Sequence, residues 1–169
     1  SLCAHPASGL TRAAHRACFM GAIMSDEGAV ANGGAQASRP VVSTLAEKDM
    51  PEAVRILRLA FGTFFEAPDL DTFWTDRDYV YGRHAATHVA SFGAALDGKL
   101  VGSNFATKWG SVGFFGPLSV HPDVQERGVA RALLARTMEQ FDTWSVAHAG
   151  LFTFAQSAKH IALYQKYGF

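Results

Sequence analysis

Apolar residues that recur every three or four positions predict helices in the first half of the chain. Residues 49–65 form the strongest pattern, with Asp49 as a candidate N-cap, Glu52 three positions later and one apolar stripe of Val54, Leu57, Phe61 and Phe64. A shorter helix is expected over 67–82, a stretch rich in aromatic residues. Two consecutive helices are therefore predicted before the main strands.

The second half of the chain carries two more helical patterns. One begins behind Gln125 and has the apolar face Ala130, Leu133, Leu134, Thr137, Met138 and Phe141. The other covers 157–169 and reaches Gly168, a residue that suits a helix C-cap because it accepts positive φ. The sequence therefore ends on a predicted helix.

Apolar and β-branched runs predict five strands. They lie in 40–44, in two runs within 88–109, in 111–122 and in 150–154. Asp97 and Gly98 separate the two runs of 88–109, and this dipeptide accepts the positive φ that a tight hairpin needs. Pro117 cannot donate to a strand ladder, so it predicts a bulge or a break in pairing within 111–122. The order of these elements predicts one α/β domain over 40–169.

Residues 1–39 differ in composition from the rest of the 169-residue chain. Ala, Gly and Ser dominate there, and 1–24 contains Arg12 and Arg16 but no acidic residue. Transit segments and secretory signals share this bias, but the continuous apolar run of a secretory signal is missing. We expect a disordered extension, because too few large apolar side chains are present to offset the ordering entropy. Met24 is a candidate natural start.

The charges of the chain are balanced, with fifteen Lys and Arg against fifteen Asp and Glu. A neutral chain lacks the electrostatic footprint for DNA, RNA or an anionic membrane, so no nucleic-acid or membrane partner is expected. Cys3 and Cys18 form no disulfide framework, which agrees with a cytoplasmic location. His84 and His88 have the i, i+4 spacing of a helical metal site, but no third ligand is near, so no metal is expected.

The joint between the fourth strand and the next helix has the chemistry of an anion site. A helix N-terminus carries unpaired N–H groups and a partial positive charge, which suits a phosphate. Gly128 lets a pyrophosphate approach the backbone, and Ala130 keeps the next inward position small. Arg127 and Arg131 can add cationic contacts. Taken alone, the joint is also explained by an ordinary exposed helix start.

Two motifs resemble those of the GNAT superfamily of acetyl-CoA-dependent N-acetyltransferases. The segment from Gln125 to Ala130 resembles its Q/R-x-x-G-x-G/A motif, and 157–169 looks like the N-x-x-A-x-x-x-Y-x-x-x-G-F motif that follows. The resemblance covers 40–169 and implies a mixed, mostly antiparallel central sheet flanked by helices. It also implies acetyl-CoA as cosubstrate and direct transfer of the acetyl group to an amine of a small molecule or peptide.

The resemblance also assigns roles to residues. Tyr164 stands where the family places a general acid beside the thioester sulfur, whereas Tyr167 is expected to pack. The residues expected to bind the cosubstrate are Leu118, Ser119, Val120, Gln125, Glu126, Arg127, Gly128, Val129, Ala130, Arg131 and Ser157. Leu118, Ser119 and Val120 are included because the fourth strand is interrupted just before them. Their backbone groups are then free to pair with the pantetheine arm, and one N–H can face the thioester oxygen.

Two departures from the family pattern bear on activity. Ser157 stands where Asn is common and His160 where Ala is common, so contacts to the pantetheine arm are expected to differ. The sequence stops at Phe169, where the family continues into two more strands, so the domain is expected to be C-terminally incomplete. The strand at 150–154 would then keep an unpaired edge, which predicts self-association, as in a homodimer.

A general base is not evident from the sequence. The fourth strand offers no carboxylate, so an ordered water chain or an acid from Glu66 to Asp78 would have to serve. His121 and His160 are expected to be surface or packing residues. Several rings of the first two helices can line an apolar amine pocket or fill the core: Phe61, Phe64, Phe65, Phe73, Trp74 and Tyr79.

Two other functions stay open beside acetyl transfer. One is a catalytically inactive CoA-binding or interaction module, or an inactive fragment of a longer acetyltransferase. The other is a phosphate-binding module for a nucleotide, which the absence of a G-x-x-x-x-G-K-[ST] motif disfavours. Turnover of a thioester distinguishes the enzyme from the inactive module.

Overall fold

The computed structural model describes residues 2–4 and 38–169, and within them seven strands form one sheet. The strands are β1 (Leu2–Ala4), β2 (Val41–Thr44), β3 (Val89–Leu96), β4 (Lys99–Trp109), β5 (Val112–Phe115), β6 (Ser119–Val120) and β7 (His148–Phe152). Their order is β1-β7-β5-β4-β3-β2, with β6 paired to β4. Of these pairs, only β5 and β7 run parallel. The prediction of a mixed, mostly antiparallel sheet flanked by helices is confirmed.

The described residues also form four α-helices. They are α1 (Met50–Phe64), α2 (Tyr81–His84), α3 (Val129–Thr143) and α4 (Ala158–Gln165). None of these helices is long and apolar enough to cross a bilayer. At the start of α1, Asp49 makes no side-chain capping bond. Glu52 instead lies 2.6 Å from Arg55, so the predicted capping box is not formed.

The hairpin between β3 and β4 closes as the sequence predicts. Leu96 pairs with Lys99, and between them Asp97 and Gly98 have φ of 51° and 76°. Two consecutive residues with positive φ make a turn whose twist matches that of the flanking strands. β4 then continues as the centre of the sheet and pairs with β3, β5 and β6.

Alternating side chains of β4 serve two cores, one on each face of the sheet. On the face covered by α1, the buried ring of Phe105 packs with Leu45, Met50, Ala53, Leu57 and Val80. The face covered by α3 holds a larger core, which includes Phe92, Ala94, Ala106, Phe115, Leu133, Leu134, Phe141 and Leu151. Burying one large side chain contributes about 1.5–3 kcal/mol, so these contacts hold both helices on the sheet.

The helix predicted over 67–82 is found only at its end, as the start of α2, and the rest of this segment forms turns. The Asp78 carboxylate accepts hydrogen bonds of 2.8 Å from the first two backbone N–H groups of α2, which places the helix start there. The Arg58 guanidinium on α1 donates to two carbonyl oxygens of the segment, those of Asp71 and Phe73. Tertiary hydrogen bonds therefore replace the helical ones.

Strand β7 differs from its prediction in its position and at its outer edge. It covers 148–152 rather than 150–154. β1 pairs antiparallel with it, so the edge that was expected to be unpaired has a partner. The extension predicted over 1–39 therefore includes one short strand, and its part from residue 5 to residue 37 lies outside the described residues.

Gly102 on β4 is needed where β6 and α3 approach the sheet. A Cβ atom there would lie 2.7 Å from the Ser119 carbonyl oxygen and 3.1 Å from the Val129 side chain. Because a paired backbone oxygen cannot move aside cheaply, Gly102→Ala is expected to lower the free energy of unfolding by about 1–3 kcal/mol in urea denaturation. Gly150→Ala is the matched control, since its Cβ would lie at an ordinary 3.9 Å from Phe114. An equal loss in both variants would contradict this interpretation.

Candidate active site

An opening in the sheet begins where β5 ends. β5 and β7 pair in parallel up to Phe115 and Leu151. Beyond this point residues 116–118 stand opposite only two residues of β4, so the chain bulges at Pro117 before β6 resumes the pairing. Among the described residues, no strand pairs with the other edge of β6. The predicted break at Pro117 is confirmed, and it leaves β6 and β7 unpaired with each other.

The register of β6 decides which of its backbone groups face this opening. The His121 N–H donates to the Val101 carbonyl of β4 at 2.8 Å. Residues that bond to the partner strand alternate along an antiparallel strand, so Ser119, two residues earlier and opposite Ser103, also bonds to β4 through its N–H and C=O. The N–H and C=O of Val120 therefore point away from β4. The Ser119 hydroxyl also lies 3.1 Å from the Ser103 hydroxyl, inside the sheet. Leu118 lies in the bulge and has no register partner on β4. Leu118 and Val120 therefore offer backbone groups to the opening, and Ser119 does not.

The loop before α3 presents a row of backbone N–H groups. Glu126 and Gly128 have φ of 71° and 80°, and α3 begins directly after Gly128. The first helical bond joins Ala132 N to Gly128 O at 3.0 Å. Three earlier N–H groups therefore have no intrahelical acceptor, those of Val129, Ala130 and Arg131. A Cβ atom at Gly128 would meet nothing within 4 Å, so the approach to these donors is open.

Polar and charged side chains stand on this loop and beside it. Gln125, Arg127 and Arg131 are exposed. Lys159 on α4 lies 3.0 Å from Glu126 in an exposed ion pair. Such a pair contributes at most about 1 kcal/mol, so Lys159 can turn towards another anion at little cost. The sequence motifs did not point to Lys159, because its place beside the loop depends on how α4 docks.

One hydrogen bond joins the end of α4 to α3, and local backbone bonds define the two ends of α4. The Tyr167 hydroxyl donates to the Arg131 carbonyl of α3 at 2.9 Å, so Tyr167 does more than pack. Ser157 is buried at the N-cap position, where its carbonyl accepts the Ile161 N–H at 3.1 Å and its side chain makes no capping bond. At the other end Gly168, with φ of 85°, completes a Schellman turn of two backbone bonds, 3.1 and 3.3 Å long. The predicted C-cap role of Gly168 is confirmed.

Tyr164 lies on the face of α4 that is turned towards the sheet. Its ring packs edge-on against Phe115 at the end of β5, with 5.8 Å between the centroids. It also lines a pocket of about 50 Å³ with Leu151, Thr153, Ile161, Gln165 and Phe169. Burial raises the pKa of the Tyr164 hydroxyl to about 12, so the phenol stays protonated through the neutral range. The predicted acid therefore lies where the pairing of β5 and β7 ends.

A group of rings lies between α1 and the start of α4, and we term it the aromatic cluster. Its members are Phe61, Phe64, Phe65, Phe73, Trp74, Tyr79 and Phe154, with neighbouring centroids 4.6 to 6.2 Å apart. Phe61 and Trp74 pack on the α1 core, whereas Phe65 is 41% exposed. The cluster is therefore part core and part surface. Phe154 was missed by the sequence patterns because nothing local joins it to α1.

The histidines of the described residues do not assemble a metal site. No group of three or more His, Cys, Asp or Glu side chains is placed there to hold a metal ion. His84 ends α2, and His88 comes immediately before β3.

The family of the chain follows from its sequence in this region. Residues 51–169, which include the loop before α3 and Tyr164, match the model of the Acetyltransferase (GNAT) family. The chain belongs to the GNAT acetyltransferase family. The predicted family and acyltransferase class are confirmed, and acetyl-CoA is the cosubstrate that agrees with this membership.

Three solved acetyltransferases share the fold of this GNAT chain. The ribosomal-protein-S18-alanine N-acetyltransferase of Escherichia coli is 24% identical over 76% of each chain, with a TM-score of 0.59. The PaiA N-acetyltransferase of Thermoplasma acidophilum, in complex with coenzyme A, is 11% identical over 76% of this chain and 87% of its own, with a TM-score of 0.62. An aminoglycoside acetyltransferase from an uncultured soil metagenomic sample, in complex with sisomicin, is 18% identical over 76% and 86%, with a TM-score of 0.56. No curated protein sequence matches the chain.

Proposed function

We propose that this GNAT protein binds acetyl-CoA along β6 and the start of α3 and transfers its acetyl group to an amine. One arrangement carries the proposal. The open N-terminus of α3, the backbone of β6 and the hydroxyl-bearing ring of Tyr164 all lie around the interruption of the sheet. The surface can therefore hold the three parts of acetyl-CoA side by side: the anionic pyrophosphate, the amide-bearing pantetheine arm and the reacting thioester.

The pyrophosphate of the cosubstrate is assigned to the loop before α3. The N–H groups of Val129, Ala130 and Arg131 donate there, and the helix dipole favours negative charge. Arg127 and Lys159 add cationic contacts, as does the side chain of Arg131. Gln125 and Glu126 shape the loop, and the absence of a side chain at Gly128 keeps it open, as its empty Cβ position supports.

The pantetheine arm is assigned to the backbone of β6. Val120 and Leu118 offer groups outside the β4 ladder, so these two residues are proposed to pair with the amides of the arm. Ser119 is left out of this role because its backbone and hydroxyl are used inside the sheet. Ser157, buried at the start of α4, is proposed to border the arm from the opposite side.

Acetyl-CoA would supply the activated acetyl group as a thioester, and two residues of the chain are proposed to donate hydrogen bonds to that thioester. The Val120 N–H is the proposed donor to the thioester oxygen, which gains negative charge as the amine attacks. Tyr164 is the proposed donor to the sulfur. With a pKa raised to about 12, its phenol is a weaker acid than a thiol, so it stabilises the leaving sulfur by a hydrogen bond without ionising.

The acceptor is assigned to the aromatic cluster and the turns beside it. Residues 66–78 carry five acidic residues and one basic residue, and they also contain Phe73 and Trp74. Rings and carboxylates together favour an amine with an apolar body and a positive charge. A small amine and a peptide N-terminus both meet this description. A cytoplasmic location and a homodimer remain predictions.

A catalytically inactive CoA-binding module is the second candidate, because β5 and β6 carry no ionisable side chain. Isothermal calorimetry with CoA and release of the CoA thiol from acetyl-CoA separate the two candidates. Binding with amine-dependent release is the result expected for the transferase. Binding without release from any amine would favour the inactive module.

A further inference from the structure

An ionisable side chain lies on the acceptor side of Tyr164, one helical turn before it. His160 and Tyr164 occupy positions i and i+4 of α4, so they share one face of the helix, with 6.5 Å between their ring centroids. On its other side the imidazole lies 5.5 Å from the ring of Phe64, a member of the aromatic cluster. His160 therefore stands between the surface assigned to the acceptor and the group assigned to the sulfur.

The ring nitrogens of His160 are available for a proton. The ring is half-buried, and within the described residues no hydrogen bond or ion pair engages either nitrogen. α1 presents the Phe64 ring to it, and residues 153–157, which precede α4, contain no ionisable side chain. Its charged neighbour is Lys159, which is itself paired with Glu126. Tyr164 is the other titratable group on this face of α4.

These surroundings keep the imidazole in its basic form. Burial, and to a lesser extent the charge of Lys159, lowers the pKa of His160. Because the pKa is depressed, the neutral form dominates at neutral pH, and the ring becomes charged only at a lower pH than an exposed histidine does. A neutral imidazole can accept a proton from a substrate ammonium group.

We propose that His160 is the general base that deprotonates the acceptor amine, an assignment that rests on the acetyl transfer proposed above. The sequence predicted a surface or packing role for His160, and this assignment replaces that role. It also replaces the two candidates for the base that the sequence left open, an ordered water chain and an acidic residue from 66–78. β5 and β6 supply no competing ionisable group.

The protons balance over the whole reaction. The acceptor arrives as R–NH3+, and His160 takes one proton from it and passes that proton to solvent. The freed nitrogen lone pair attacks the thioester carbonyl, so that a C–N bond forms and the C–S bond breaks. As the second proton passes from the nitrogen to the Tyr164 hydroxyl oxygen, the proton of that hydroxyl passes to the sulfur, so the phenol is neutral before and after the step. The products are the amide, the CoA thiol and one released proton.

The kinetic test compares the full chain with its His160→Gln variant, using phenethylamine, sisomicin and an alanine-initiated peptide as acceptors. Below the pKa of the amine, the variant is expected to lose about 100- to 10,000-fold in kcat/KM, the usual size for a general base. As the pH approaches the pKa of the amine, the loss should shrink, because the amine then arrives neutral. Calorimetry should give unchanged CoA affinity, and His148→Gln, on the exposed end of β7, should behave as wild type.

Proton NMR adds a readout that does not depend on turnover. The imidazole signals that disappear in His160→Gln belong to His160. The pH at the midpoint of their titration should lie below 6.5, the ordinary pKa of a histidine side chain. The acidic limb of the wild-type pH profile of kcat/KM should share that midpoint. Tyr164→Phe should keep this limb, because the phenol does not ionise in the same range.

The outcomes distinguish a failure of the His160 assignment from a failure of the proposed acetyl transfer. A wild type that acetylates an acceptor, with an equal rate and pH profile in His160→Gln, would overturn the base alone. A loss of the same size at every pH would also overturn it, since a structural role would then be sufficient. If the wild type binds CoA and acetylates none of the three acceptors at any pH, both the proposed function and the base are overturned.

Discussion

Removal of the Tyr164 hydroxyl is expected to slow acetyl transfer by about 100- to 10,000-fold, while CoA affinity stays almost unchanged. Tyr164→Phe keeps the ring that packs on Phe115, so the change removes only the proposed hydrogen bond to sulfur. Since burial raises the pKa of this phenol to about 12, the hydroxyl is protonated from pH 6 to 9, and the loss of kcat should be the same across that range. Steady-state kinetics at several pH values measure this.

Tyr167→Phe is the matched control on the same helix. It removes the hydrogen bond to the Arg131 carbonyl, so it should lower the free energy of unfolding by about 1 kcal/mol and leave kcat unchanged. The two variants thus have opposite signatures, one in catalysis and one in stability. Wild-type kcat in Tyr164→Phe would remove this residue from the mechanism.

Replacement of Gly128 by glutamate is expected to weaken CoA binding by on the order of 100-fold, the size of one or two lost charge-assisted hydrogen bonds. A carboxylate at this position would stand at the open approach to the N–H donors of α3 and would repel the pyrophosphate. A side chain at φ of 80° is also strained, which should cost about 1–2 kcal/mol of stability. Isothermal calorimetry with CoA measures the affinity.

Gly110→Glu separates the two effects of this change. Gly110 has φ of 60°, and a Cβ atom there would also meet nothing within 4 Å, but it lies in the turn between β4 and β5, at the opposite end of β4 from the residues that pair with β6. Both variants should lose similar stability, and only Gly128→Glu should lose CoA affinity. Equal CoA affinity in both variants would show that the pyrophosphate of CoA does not bind at this loop.

Features that depend on neighbours in the chain could be predicted from the sequence. The Asp97–Gly98 turn, the break at Pro117 and the C-cap at Gly168 each follow from the backbone preferences of one or two residues, and all three are found. The helical pattern of 157–169 likewise predicts a helix that contains Tyr164, and α4 confirms it. These are local properties, so the pattern alone carries them.

Features that depend on pairing across the sheet could not be predicted. Ser119 was expected to offer its backbone to the pantetheine arm, but the bulge sets a register in which that backbone bonds to β4. A shift of one residue would exchange the roles of Ser119 and Val120, and no local pattern fixes such a shift. The strand formed by Leu2–Ala4 beside β7 is non-local in the same sense.

Contacts between distant side chains were also beyond the reach of the sequence. Arg58 binds carbonyl groups of the turns after α1, which overrides the helical pattern predicted for that segment. His160 reaches Phe64 only because α4 docks near the end of α1. Its apolar surroundings, and the basic form that follows from them, arise from this docking.

The most direct measurement of the central claim is the release of CoA thiol from acetyl-CoA by the wild-type chain, followed with and without an amine acceptor. We expect release that depends on the amine, one thiol for each amide formed, and a much slower rate in Gly128→Glu at low acetyl-CoA concentration. Mass spectrometry of the acetylated amine confirms the product. Binding of CoA without release of thiol in the presence of any acceptor would contradict the account.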